Sequence, residues 1–179
     1  MAALNPGQSV KQPDVMNWTP LHYIAVNGGA GSVELLLELD ADVNGRDLAD
    51  WTPLHYACQR GNSSTVRSLF RAGADVHLRG IDGVSSLQCA AMGGHADLAK
   101  VLIKVGAALD ILDNAGNTWL HWATYNGHDK FIEAMKPGLR ALETNGININ
   151  VENHAKKKPL DLEIERGHET VIRLLKDMD

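Results

Sequence analysis

Eight histidines and two cysteines are the residues of this chain best equipped for chemistry, and their spacing decides what they do. His22, His55 and His121 each close a Thr-x-Leu-His box, and His95, His128 and His168 each follow a glycine. Residues set at such a regular interval on stacked helices lie about a helix-packing distance apart, roughly 10 Å. A shared zinc needs ligand bonds near about 2 Å, so the spacing argues against a metal site. No C-x-x-C pair and no H-E-x-x-H motif is present. Cys58 stands where the repeat described below has alanine, and Cys89 follows the box position of its own segment. Both read as packed, unreactive thiols. A Cys–His or Ser–His nucleophile would need an orienting third group and an oxyanion site, and nothing in the sequence outlines either. The glycines form neither a P-loop nor a dinucleotide fingerprint. The expectation is a chain without catalytic residues, cofactor or metal.

The elements that carry these residues repeat. WTPLHY occupies residues 18–23 and again 51–56. Leu21, Leu54, Leu87 and Leu120 follow one another at intervals of 33, and Leu160 comes 40 later. Gly28, Gly61, Gly94, Gly127 and Gly167 keep the same rhythm. The seven additional residues therefore fall between Gly127 and Asn150, within HDKFIEAMKPGLRALETNGIN. Each motif opens a helix. Thr19, Thr52, Ser85 and Thr118 are good N-caps because a hydroxyl can accept from a free N–H of the first turn. Pro20 and Pro53 sit at the first helical position, where the missing N–H costs nothing. A second apolar run with period three to four follows each glycine. Neither helix of a pair is long enough to stand alone in water, so each must bury its face on the next pair.

Composition bounds the rest. The 179 residues carry a formal net charge of −5. Residues 1–90 hold six Lys/Arg against nine Asp/Glu, and residues 91–179 eleven against thirteen. Neither half is a basic surface for nucleic acid. No apolar run approaches a membrane span, and the opening MAALNPGQSVKQP lacks the apolar stretch of a signal peptide. Two cysteines make no disulfide framework, which suits a reducing compartment. The expected location is the cytoplasm, with the nucleus also open to it.

The period, the TPLH box, the Gly-His turns (Gly94-His95, Gly127-His128, Gly167-His168) and the Gly73-Ala74-Asp75-Val76 hairpin entry resemble the ankyrin-repeat family. The resemblance implies an all-α solenoid of helix-turn-helix units joined by β-hairpin-like turns. Five units fit, over 14–46, 47–79, 80–112, 113–152 with the insert, and 153–179 as a polar C-terminal cap, after a disordered tail over 1–13. It implies non-catalytic protein binding on a concave face of hairpin tips and inner helices. Family members can also be hydroxylated on a hairpin asparagine, here Asn44 or Asn150. Departures from the family pattern are Gly80 in place of Asp, Asp50 and Lys156 in place of Gly, and Asp161 in place of the box histidine.

Aligning the units places the partner contacts. Tip positions are Val15, Met16 and Trp18 in the first unit, Leu48 and Trp51 in the second, and Ile81 and Val84 in the third. Arg60, Met92 and Tyr125 precede the turn glycines on the inner helices. The tips of the first three units are apolar and those of the last two polar, and a contiguous apolar patch with a polar rim marks a docking surface. Trp18 and Trp51 have an alternative reading as indoles that only shield each other. Pro137-Gly138 is expected to break the second helix of the fourth unit. Trp122 is expected in the core and Trp119 near the surface. Lys156-Lys157-Lys158 reads as a solvated tip or a small patch for an acidic partner. The function expected is a monomeric adaptor or regulator that docks a protein. The alternatives are an inhibitor occluding one enzyme or transcription factor, and the recruitment domain of a larger protein.

Overall fold

The computed structural model describes residues 13–144 and 150–166, and over them the chain is helical with no strand. The tail assigned to 1–13 lies almost wholly outside the described residues, as do His168 and the second apolar run of the fifth unit. Helices pair in order: α1 Pro20–Asn27 with α2 Ala30–Glu38, α3 Pro53–Arg60 with α4 Ser63–Arg71, and α5 Ser86–Gly93 with α6 Ala96–Lys104. α7 Trp119–Tyr125 pairs with α8 Asp129–Thr144, and α9 Pro159–Arg166 opens the fifth unit. The first helices of the units pack in one row, α1 on α3 on α5 on α7 on α9. The second helices lie beside them, α2 on α4 and α6 on α8. Leu21, Leu54, Leu87 and Leu120, each the second residue of its helix, are buried in one continuous core with Val33, Val66 and Leu98.

The N-caps behave as their residue types dictate. Thr19, Thr52, Ser85 and Thr118 are all in extended backbone ahead of their helices. The box residue three positions on closes the cap from the other side. The Thr19 N–H donates to His22 Nδ1 at 3.0 Å, Thr52 N–H to His55 Nδ1 at 3.1 Å, and Thr118 N–H to His121 Nδ1 at 3.1 Å. Gln88 substitutes for histidine in the third unit, its Oε1 accepting from Ser85 N–H at 2.8 Å. In the fifth unit Asp161 Oδ2 accepts from Lys158 N–H at 2.8 Å, so the departure from histidine keeps the cap.

The turn glycines Gly61 and Gly94 answer two demands at once. Gly94 has φ +74°, and a Cβ there would come within 2.7 Å of the His128 ring. A residue with a side chain would be strained in its backbone and would also displace the histidine of the next unit.

Two expectations change. The seven-residue insert does not end the second helix at Pro137-Gly138: α8 runs sixteen residues where α6 runs nine, so the extra seven are extra helix. Its first turns are anchored by buried Phe131, Ile132 and Met135. Extension from an anchored turn is far easier than a new start, and Leu139 to Glu143 are mostly strong helix formers. The two tryptophans of the fourth unit exchange roles. Trp119 is buried against Phe131, ring centroids 6.0 Å apart, because the first helical position faces the core in Pro53, Ser86 and Pro159 as well. Trp122 is half-buried, one turn further along on the side of the tips.

Candidate protein-binding surface

Four of the five tips are tight loops tied by the side chain of their first residue. Asp47 Oδ1 accepts from the N–H groups of Ala49 and Trp51, both at 2.9 Å, and its own N–H donates to Trp51 O. Asp14, Asp113 and Asn153 hold the first, fourth and fifth tips in the same way. The fourth residue of the loop has positive φ: Asn17, Asp50, Gly83, Gly116 and Lys156. That explains why the family favours glycine there and shows Asp50 and Lys156 taking the strained backbone in its place.

The second carboxylate oxygen of the tip Asp works inward. Tyr23 OH donates to Asp14 Oδ2, Tyr56 OH to Asp47 Oδ2 at 2.6 Å, and Trp122 Nε1 to Asp113 Oδ2 at 2.9 Å. The bond to Tyr23 leads the causes that hold the Asp14 carboxyl below the usual range. Burial first, then the bond to Asp47, pushes the Tyr56 phenol up. The third unit lacks both partners of this pair. Gly80 supplies no carboxylate and Cys89 no strong donor, so two apparent irregularities of the sequence are one coupled replacement. The Trp51 indole uses the space: a Cβ on Gly80 would lie 2.6 Å from Trp51 Cδ1.

Adjacent tips are joined by backbone. Leu48 N–H donates to Met16 O at 3.2 Å, Ile81 N–H to Ala49 O at 2.8 Å, Asn114 N–H to Asp82 O at 2.8 Å, and His154 N–H to Ala115 O at 2.9 Å. On this rigid ribbon Val15, Met16, Leu48 and Ile81 are 93%, 56%, 64% and 66% exposed. Arg60 and Tyr125 are exposed as well. Trp18, Trp51 and Met92 are half-buried. Trp18 packs on Tyr56 and Tyr23 with centroids 4.7 and 5.1 Å apart, and its Nε1 donates to Asp47 Oδ2 at 3.1 Å. Trp51 also packs on Tyr56, at 5.1 Å. The two indoles thus share a tyrosine between them. Val84 does not belong to the surface: at 2% exposure it is core, because its loop keeps the backbone bonds of the other tips and its short side chain stands where even Trp18 and Trp51 are half-buried.

The histidines are inter-unit fasteners. With Nδ1 accepting from the N-cap, the ring proton lies on Nε2, which points at the next unit. His22 Nε2 reaches Trp51 O at 3.0 Å, and His121 Nε2 reaches Lys157 O at 3.1 Å. Gln88 Nε2 makes the equivalent bond to Asn117 O at 2.7 Å. His55 is the exception, its buried Nε2 making no hydrogen bond. The turn residues fasten in the opposite direction. Asn62 Nδ2 donates to Ala25 O at 2.6 Å, His95 Nε2 to Gln59 O at 3.1 Å, and His128 Nε2 to Met92 O at 2.8 Å. Burial lowers the pKa of His22 and His121, and takes His55 down to about 4. Among the described residues no group of three or more His, Cys, Asp or Glu could hold a metal ion. Cys58 and Cys89 are fully buried, and burial pushes both thiols up, far from a reactive thiolate.

A family model described as ankyrin repeats (3 copies) matches residues 2–80 and again residues 65–138. The chain belongs to the ankyrin-repeat family. No curated protein matches it. Ankyrin repeats act as protein-binding modules, and no helix among the described residues is long and apolar enough to cross a membrane. The tip Asp with its aromatic donor nine residues on was missed in the sequence, although Asp14/Tyr23, Asp47/Tyr56 and Asp113/Trp122 show it at constant spacing.

Proposed function

We propose that this ankyrin-repeat chain is a monomeric, non-catalytic adaptor or regulator, working in the cytoplasm, that docks a protein across the tips of its first three units. The observation that supports it is the exposure of Val15, Met16, Leu48 and Ile81 on a ribbon whose backbone is already hydrogen-bonded from unit to unit. Apolar side chains in that setting do nothing for the core. Because the loops are held in place beforehand, little ordering entropy is lost when a partner covers them. Arg60, Met92 and Tyr125 border the patch on the inner helices, and Trp18 and Trp51 form its aromatic floor.

Truncating the indoles would disturb the floor itself, so the test uses the exposed positions. A Leu48→Ser/Ile81→Ser pair is expected to melt within about 4 °C of the parent, since each exposed substitution shifts stability by under about 0.5 kcal/mol. Capture from native extract with parent and variant, followed by reconstitution with the purified captured protein, reads the function. A protein bound directly by the parent and at least about tenfold more weakly by the variant supports the reading. Equal binding by both would sink it.

A further inference from the structure

The junction of the fourth and fifth units contains an open pocket of about 290 Å³ lined by Asn117, His121, Trp122, Tyr125, Asn153 and Leu162. Internal symmetry says what it fits. Asn117 occupies the position of Trp18 in the first unit, one repeat after another: Trp18, Trp51, Val84, Asn117. The indole of Trp18 touches His22, Tyr23, Tyr56 and Asp47. Carried along the repeat, those four become His121, Trp122, Leu162 and Asn153, which are four of the six residues of the pocket wall. The pocket is therefore the indole slot of the first junction with its indole deleted. Asparagine at 117 is too small to fill it, and Tyr125 adds a further aromatic wall, its ring 6.2 Å from that of Trp122.

The polar group at the slot has also changed. At the first junction Asp47 Oδ2 accepts from the indole N–H. At this one the equivalent atom is Asn153 Nδ2, because Asn153 Oδ1 is engaged by the N–H groups of Ala155 and Lys157, both at 3.0 Å. One Nδ2 hydrogen goes to Asn117 Oδ1 at 2.8 Å, and the other is free to donate among the described residues. The hydrogen given to Asn117 replaces the indole bond, so the free one lies where Tyr56 OH meets Asp47 Oδ2 at the first junction, beside Leu162, and offers a donor where that junction has an acceptor. We propose that the pocket receives an aromatic side chain of the docked partner, and that this side chain is a tyrosine, with its ring against Trp122, Tyr125 and Leu162 and its phenol oxygen accepting from Asn153 Nδ2. The proposal rests on the reading of the chain as a docking module, and extends the contact surface from the first three units to the last junction.

The test needs no partner, so it can fail independently of the docking experiment above. The full chain, isotope-labelled, is titrated with p-cresol and with 3-methylindole, and amide and indole resonances are followed. p-Cresol is expected to bind with a dissociation constant on the order of 1 mM, shifting Trp122 Nε1, Tyr125 and Asn153, with intermolecular NOEs from its ring protons to Leu162 and Trp122. 3-Methylindole, which offers a donor to a donor, is expected to bind about fivefold more weakly. Asn117→Trp refills the slot and should weaken p-cresol at least about tenfold with no fall in melting temperature. Absence of binding at ten times that concentration, shifts and NOEs at other residues, 3-methylindole as the tighter ligand, or undiminished binding by Asn117→Trp would each overturn the assignment. The NOEs are read on the parent chain and stand even if the variant fails to fold.

Discussion

His55 is the residue whose burial has the clearest consequence. Its ring is closed off from water, its Nδ1 serves the Thr52 cap, and its Nε2 has no partner, so the neutral form is strongly favoured in the fold. The folded pKa of about 4 lies below the ordinary histidine value near about 6.5. Between those values the unfolded chain binds a proton that the folded chain refuses, so stability is complete above about pH 6.5 and falls as pH drops through about 4. The separation corresponds to at most about 3 kcal/mol. His22 and His121, also shifted down by burial, act in the same direction. The chain supplies its own control, since Gln88 performs the same capping task at the same position without titrating. His55→Gln is expected to leave the fold intact and to flatten the dependence of denaturant midpoint on pH between 6.5 and 4. An unchanged slope would show that His55 is protonated without penalty. The thiols make a second residue-scale case. Cys58 and Cys89 should resist a thiol-specific reagent at pH 8 in the native state and both react in denaturant, and rapid native labelling of either would contradict their burial.

At the scale of the element, α8 holds the sharpest lesson. Pro137 has no N–H to give the helix, yet the helix passes through it to Thr144. Pro137→Ala is expected to restore one helical bond and stabilise the chain by about 1–3 kcal/mol, read as a rise in melting temperature. A loss of stability would mean that the proline ends the helix after all. What the sequence made legible follows from how local each feature is. The 33-residue interval, the N-caps and the turn glycines depend on residues within a few positions, and all were readable. The continuation of α8 depends on Phe131, Ile132 and Met135 being anchored elsewhere, so composition alone suggested a break. Val84 was placed at the surface because its loop was read by alignment, while the position itself is half-covered by its neighbours, so that an indole projects from it and a valine does not. The apolar tips were visible as residue types. The pocket beside Asn117 was not, because a pocket is a side chain that is missing, and it shows only when one junction is superposed in thought on another.

For the whole molecule, stability is a chain of nearest-neighbour agreements. Box residues bond forward, as His22 does to Trp51 O and Gln88 to Asn117 O, and turn residues bond backward, as Asn62 does to Ala25 O and His128 to Met92 O. Each inner unit thus contributes to two junctions, and no junction depends on distant sequence. Such an array should open from its ends, and the position of a broken fastener should decide which part separates. Asn62→Ala is the discriminating case. It removes the donor to Ala25 O and Val26 O at the end of α1 while leaving its own unit's core untouched. The expected cost is about 1–2 kcal/mol, confined to the first junction. Hydrogen exchange should speed about tenfold across α1 and α2, with α5 and α7 keeping their parental protection. Uniform acceleration through all units would mean that the array unfolds as one body, and that the paired fasteners transmit their strength along its full length instead of only to the next repeat.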